Sequence, residues 1–196
     1  MRLENDFMNG YQRRTEKKRE DILNATKKLV CDIPLDRLSI IKIADEANVS
    51  QVTIYNLYEN KKQLINEAIK SLSIDDINDI ISVLSSNTPV SERLLLYFQK
   101  SFSHSVNKPQ FNGIMAYIFS NQDKELKTTI EKLYVETIPL LTRLYTEGQA
   151  AKIIRPSIMI DDFFRLLDIY TRIDRQFLIS PNQRHVIIES IIHSFL

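Results

Sequence analysis

The sequence predicts an all-α protein: an N-terminal three-helix domain with a helix-turn-helix, joined by a linking helix to a C-terminal helical bundle, about nine helices in all. Three observations carry that expectation. Only 3 Gly and 6 Pro occur in 196 residues, too few for the turn clusters that punctuate sheets. Long stretches carry Leu, Ile, Lys, Glu and Asp with apolar residues three and four apart, the period of a helix with one buried face. The hydrophobic share, 43%, is enough to bury a core in one large domain or two small ones.

The first helix is expected from near Thr15 to about Cys31, with Ile22, Leu23, Ala25, Leu29 and Val30 on its apolar side and Pro34 beyond its end. Ser39 is an N-cap candidate for a short second helix, in which Ile40, Ile43, Ala44 and Ala47 share a face. Ser50 can cap a third. Ala47-Asn48-Val49-Ser50 leaves room only for a tight turn between them, and Asn is the non-glycine residue that best tolerates positive φ there. The pair is therefore a helix-turn-helix.

Asn60 and Gln63 have capping-box spacing, so the next helix opens at Asn60 and runs through Leu64, Ile65 and Ala68 towards Leu72 and Leu84, linking two parts of the chain. Thr88 and Pro89 start a helix reaching Val106, with Leu94, Leu95, Phe98 and Phe102 inward. Further helices are expected over 110–121, 123–147, 157–178 and, from Ser180-Pro181, over 181–196. Pro139 lies inside the helical run YVETIPLLTRLY, where it must remove a backbone hydrogen bond and bend the helix. The expected domains are a flexible N-terminal arm over 1–12, a helix-turn-helix domain over 13–68, and a C-terminal domain over 69–196.

Charge is informative only in its distribution, because the formal net charge is +1. Within YQRRTEKKR, residues 11–19, Arg13, Arg14, Lys17, Lys18 and Arg19 face Glu16 alone, which makes a short basic arm. No charge in the C-terminal half clearly calls for an opposite one on a bound molecule. Cys31 is the single cysteine, so no intrachain disulfide can form, and a reducing, cytoplasmic setting is expected. His104, His185 and His193 lack partners at metal-ligand spacing except His185 with Glu189, which fits an ordinary solvated face, so neither a metal nor another cofactor is expected. MRLENDF is not an apolar signal core, and no apolar run reaches the ~18 residues needed to cross a bilayer, so no membrane partner is expected. There is no nucleophile beside a base and no Gly-rich phosphate loop, which argues against an enzyme.

The informative stretch is IADEANVSQVTIYNLYENKKQL, residues 43–64. On a helix starting after Ser50, Ile54, Leu57 and Tyr58 fall on one side and pack inward. Val52 and Asn56 fall opposite, flanked by Gln51, Thr53 and Tyr55, at the end where a second helix of such a motif meets base edges in the major groove. Gln and Asn can pair bidentately with adenine, Val and Thr methyls can meet the thymine methyl, and hydroxyls can donate to phosphate. Lys61 could neutralise a phosphate. The alternative is a merely solvated polar face.

From Ser39 to Leu64 the sequence resembles the DNA-binding domain of the TetR family of transcriptional regulators. The family pattern is hydrophobic-x-x-I-A-x-x-A-G-V-S-x-x-x-hydrophobic-Y-x-x-F-x-x-K-x-x-L, and here it is IIKIADEANVSQVTIYNLYENKKQL, with Ile43, Ala44, Ala47, Val49, Ser50, Ile54, Tyr55, Lys61 and Leu64 matching. Asn48 stands for the usual Gly and Tyr58 for the usual Phe. The resemblance covers residues 13–68, and EGQAAKIIRP, residues 147–156, is similar to the segment joining the seventh and eighth helices of many members.

The resemblance implies a homodimer built through the last two helices, a double-stranded DNA operator as partner and a C-terminal domain that holds a small-molecule effector. Tyr55 and Lys61 would contact phosphates, Gln51, Val52, Thr53 and Asn56 would face bases, and Arg13, Arg14 and Lys17 would reach the backbone or the adjacent minor groove. Ser39, Lys42 and Ser50 complete the DNA-facing set. Candidate effector-pocket residues are Phe98, Phe102, Tyr117, Phe119, Tyr134, Tyr145, Phe163 and Tyr170, a lining suited to an apolar or amphipathic molecule, although aromatics at helical spacing are usually plain core. A repressor released by its effector is the expected function. A C-terminal half that recognises a protein instead of a metabolite, and a helical interaction module without DNA binding, stay open.

Overall fold

The structure, a computed structural model, describes residues 10–107, 110–120 and 123–177 with positions 186 and 190, and side chains in these ranges except at 101–107, 111, 112 and 170–177. Among the described residues there are nine α-helices and no strand: α1 (Gly10–Asp32), α2 (Ile40–Glu46), α3 (Gln51–Leu57), α4 (Lys61–Ser85), α5 (Val90–Asn107), α6 (Phe111–Phe119), α7 (Lys124–Val135), α8 (Ile138–Ala150) and α9 (Ile160–Phe177). Of the helix expected over 181–196 only positions 186 and 190 fall within the described residues, and most of the arm lies outside them. Residues 10–12, assigned to that arm, already belong to α1.

The chain divides between Leu72 and Ser73, inside α4, into two compact units. Just before this division, Lys27 Nζ of α1 donates to Ser71 Oγ of α4 at 3.2 Å. In the first unit, the spacing that predicted an apolar face does bury it. Ile22, Ala25 and Val30 of α1, Ile40, Ile43 and Ala44 of α2, Ile54 of α3, and Leu64, Ile65, Ala68 and Ile69 of α4 are all buried. Truncating one of the fully buried isoleucines would cost about 2–5 kcal/mol.

The second unit has its own core. Ile80 and Leu84 of α4, Val90, Leu94, Tyr97 and Phe98 of α5, Leu141 and Leu144 of α8, Ile154, and Phe163 and Leu167 of α9 form one buried cluster. Gly148 sets how closely the chain folds back after α8, since a Cβ there would stand 2.6 Å from Ile154 Cδ1. The reversal itself is a left-handed residue, Lys152 at φ 58°. Lys152 N–H donates to Gln149 O and Ile153 N–H to Gly148 O at 3.0 and 2.9 Å, which satisfies two of the carbonyls a helix end leaves orphaned.

One expectation for this unit needs correction. The single helix foreseen over 123–147 is two, because Pro139 sits in the first turn of a new helix rather than bending an old one. The chain breaks at Glu136 and Thr137, and the Thr137 hydroxyl donates to Tyr134 O at 2.7 Å. A buried cation also ties α5 to the end of α4 and to α8. Arg93, 5% exposed, donates from Nε to Thr88 O at 3.0 Å and from Nη1 to Leu84 O at 3.4 Å, and pairs through Nη2 with Glu147. Arg143 adds a 2.9 Å bond to Leu84 O and lies 3.5 Å from Glu147. The Arg93 hydrogen bond, supported by the nearby guanidinium charges, holds the Glu147 carboxyl below its ordinary range.

Candidate nucleic-acid interface

The turn between α2 and α3 is built by backbone chemistry. After the last turn of α2, Asn48 adopts φ 51°, the left-handed conformation, and its N–H donates to Asp45 O at 3.2 Å while Val49 N–H donates to Ala44 O at 2.9 Å. This double closure ends α2 with no glycine. Each helix of the pair is capped by the expected serine. Ser39 Oγ accepts from Lys42 N–H at 3.3 Å, and Ser50 Oγ accepts from Thr53 N–H at 3.1 Å.

The α3 side chains then sort by face. Ile54 is buried, whereas Gln51, Val52, Tyr55 and Asn56 are exposed, Val52 at 67% and Tyr55 at 55%. Apolar and aromatic groups this open on a seven-residue helix gain nothing from the protein's own core. Thr53 is half-buried and its hydroxyl shares a 2.9 Å hydrogen bond with Ser50 Oγ. Leu57 is only half-buried. Tyr58, expected as the next turn of the helix, lies just past its end in extended conformation at φ −133°. Its ring is nevertheless buried, and its hydroxyl donates inward to Arg19 O at 3.0 Å. Burial pushes the Tyr58 phenol up to about 12, with the Arg19 charge working against that rise.

The cations are divided in use. Arg13, Arg14, Lys17 and Lys18 are exposed along the first turns of α1, with Arg14 Nε bonded to Gly10 O at 3.0 Å. Arg19, counted with that arm from sequence, instead turns towards the end of α3. Lys42 Nζ donates to Arg37 O at 3.0 Å. Lys61 is the first residue of α4, whose start is held by Asn60 Oδ1 accepting from Gln63 N–H at 2.9 Å and Gln63 Oε1 accepting from Glu59 N–H at 2.7 Å.

Between α1 and α3 lies an open cleft of about 540 Å³ lined by Tyr11, Arg14, Thr15, Lys18, Thr53, Asn56 and Leu57. It joins one end of the α3 face to the basic start of α1. Tyr11, Thr15 and Lys18 were not singled out as site residues. Their signal was helical spacing, since 11, 14, 15 and 18 fall on one face of a helix that starts at Gly10 rather than Thr15.

The aromatic residues considered for an effector pocket separate into different settings. Phe98 and Phe163 are fully buried in the second core and Tyr145 packs against it, with its ring 5.4 Å from that of Phe163 and its hydroxyl donating to Ile158 O at 2.9 Å. Tyr117 is half-buried, whereas Phe119 and Tyr134 are 47% and 40% exposed. The side chains of Phe102 and Tyr170 lie outside the described residues.

A capped, tightly turned helix pair with an exposed mixed face on its second helix is the arrangement by which helix-turn-helix DNA-binding proteins present a helix to the major groove. Residues 22–68 match the family described as bacterial regulatory proteins, tetR family. Solved structures with the same fold include a protein assigned to the TetR family from Mesorhizobium loti, with TM-score 0.70 and 17% identity over 93% of this chain and 96% of that one. The fatty acid degradation regulator FadR from Bacillus halodurans has TM-score 0.66 and 16% identity over 91% and 94%. A TetR-family transcriptional regulator from Streptomyces coelicolor has TM-score 0.66 and 18% identity over 92% and 79%. At such identities the structural likeness establishes the fold alone. A comparison with curated proteins gives no match. Residues 22–68 thus match the DNA-binding segment of the TetR family, and the all-helical fold is one shared with solved TetR-family regulators, which together support a DNA-binding regulator. Among the described residues no helix is long and apolar enough to cross a membrane, and no group of His, Cys, Asp and Glu is placed to hold a metal ion.

Proposed function

We propose that the protein is a cytoplasmic homodimeric repressor that binds a palindromic operator and is released by a small-molecule effector. The observation that carries the DNA half of this reading is the exposed face of α3, where Gln51, Val52, Tyr55 and Asn56 stand open while Ile54 and Tyr58 anchor the helix. Gln51, Val52, Thr53 and Asn56 meet bases; Tyr55, Lys61, Arg13, Arg14 and Lys17 meet the sugar-phosphate backbone. Ser39 and Ser50 act through the caps they form, and Lys42 lies beside the first of them. Dimerisation through the last two helices sets two α3 helices roughly 34–36 Å apart, one per successive major groove. The effector favours a dimer of different spacing, which needs only unequal affinity for the two states.

The test is duplex binding at two salt concentrations. Affinity that falls steeply with salt while a sequence preference persists supports the reading; equal binding to every duplex, or none at low salt, contradicts it.

A second reading gives the C-terminal half a protein partner in place of a metabolite. It is favoured by Tyr134, Val135 and Ile138, which are 40%, 58% and 46% exposed around the α7–α8 junction. A dimer indifferent to a broad metabolite screen but co-purifying with a defined partner would support it.

A further inference from the structure

The recognition helix is short, seven residues with one buried side chain, Ile54, so its own packing fixes it poorly. Its N-terminal end is held by the Ser50 cap and the Asn48 turn. At its C-terminal end, beside the buried Tyr58 ring, a side chain from α1 adds a further hold. Arg19 Nη1 donates to the carbonyl of Leu57, the last residue of α3, at 3.1 Å. Its Nη2 lies 3.3 and 3.2 Å from the two carboxylate oxygens of Glu67 on α4. The guanidinium carbon sits 4.7 Å from the centroid of the Tyr58 ring, whose hydroxyl returns a 3.0 Å bond to Arg19 O.

The guanidinium thus meets a helix-end carbonyl, a carboxylate and an aromatic face at once. Only a planar fork of donors does this; a lysine ammonium, a point charge, cannot keep all three directions. Arg19 and Glu67 side chains are 39% and 33% exposed, so as an ion pair they contribute little stability. Their geometric constraint is larger than their energy. If the N-terminal end of α3 stays fixed and the C-terminal end is freed, the displacement grows along the helix. Asn56, beside the latched end, moves most, and Gln51, beside the cap, moves least.

We propose that Arg19 is a positioning residue for recognition: with Glu67 and Tyr58 it sets the angle of α3 and so the base preference read at the Asn56 end of the helix. The inference rests on the DNA-binding reading above. Arg19 touches no base in it and acts through α3.

The test uses the full chain, the duplex it prefers from a random pool, and single-base variants of that duplex. Arg19→Lys, Glu67→Gln, Asn56→Ala, Gln51→Ala and the doubles Arg19→Lys/Asn56→Ala and Arg19→Lys/Gln51→Ala are compared after thermal unfolding confirms that each is folded. Arg19→Lys should lose discrimination on the order of tenfold, and only at base pairs where Asn56→Ala also loses it. The Arg19/Asn56 double should be no worse than Asn56→Ala, because both remove one contact, whereas the Arg19/Gln51 double should be additive. Glu67→Gln, which leaves the Leu57 bond in place, should repeat the pattern more weakly and carries the test if Arg19→Lys does not fold. Equal weakening across all duplexes, or additivity with Asn56→Ala, overturns the inference while leaving the DNA reading intact. A wild-type chain that binds all duplexes alike overturns both.

Discussion

Asn48 and Lys152 make the same turn with different means. Both are left-handed residues just past a helix end, and both close the helix with a pair of backbone bonds. A left-handed L-residue with no local compensation costs about 1–2 kcal/mol, and Asn is the residue type that tolerates the conformation best. Asn48→Ala should therefore lower stability by about 1 kcal/mol, whereas Asn48→Gly should hold it within about 0.5 kcal/mol. Lys152→Gly should raise stability by roughly 0.5–1 kcal/mol, since lysine has no side chain suited to that backbone. Chemical denaturation of the three variants decides this, and a neutral Asn48→Ala would contradict it. Asn48 was legible in the sequence because the turn had to be made within Ala47-Asn48-Val49-Ser50, a local constraint. Lys152 was not, because nothing in its side chain marks the conformation, and the close approach of Ile154 to Gly148 that surrounds it is known only from the packing.

At the scale of one element, α3 presents two kinds of exposed group, and the proposed function assigns them different work. Tyr55→Phe and Lys61→Ala should weaken binding to every duplex and leave the order of preference intact, because phosphate contacts carry no sequence information. Gln51→Ala and Asn56→Ala should change the order at particular base pairs, each costing roughly 1–3 kcal/mol there. Affinities across a set of single-base operator variants separate the two cases; four substitutions that weaken all duplexes equally would sink the division. The exposed face and both serine caps were legible because they depend on residues three or four apart. The end of α3 was not. Arg19 was counted with a basic arm, but it is 38 residues from Leu57 and 48 from Glu67, and only the folded domain brings them together. The break before Pro139 was missed for a related reason. Proline in a helical run either bends a helix or begins one, and the start of α8 at Ile138 decides between them.

Across the whole molecule, the two units were legible in outline and the polar network of the second was not. Arg93 and Glu147 are 54 residues apart, and no local pattern links them. Arg93 is buried with three of its nitrogens engaged, so Arg93→Met, which takes this donor from Thr88 O and leaves Glu147 and Leu84 O to Arg143 alone, should destabilise by about 1–3 kcal/mol. Glu147 supplies a pH signature. Its folded-state pKa is depressed, so its contribution is present above the ordinary glutamate range and is lost as pH falls through the lower folded value. Glu147→Gln should flatten that part of the acid limb in a thermal-midpoint profile, and an unchanged limb would show that the pairing is not what the acid removes. The central claim, that α3 reads DNA in a two-fold assembly, is tested most directly by recovering the duplexes that the purified chain selects from a random pool. The account predicts an inverted repeat whose half-sites are centred about one helical turn apart, with preferences that shift in Gln51→Ala and Asn56→Ala. A pool left unenriched after selection, or enriched for a sequence that these two substitutions do not alter, would contradict it.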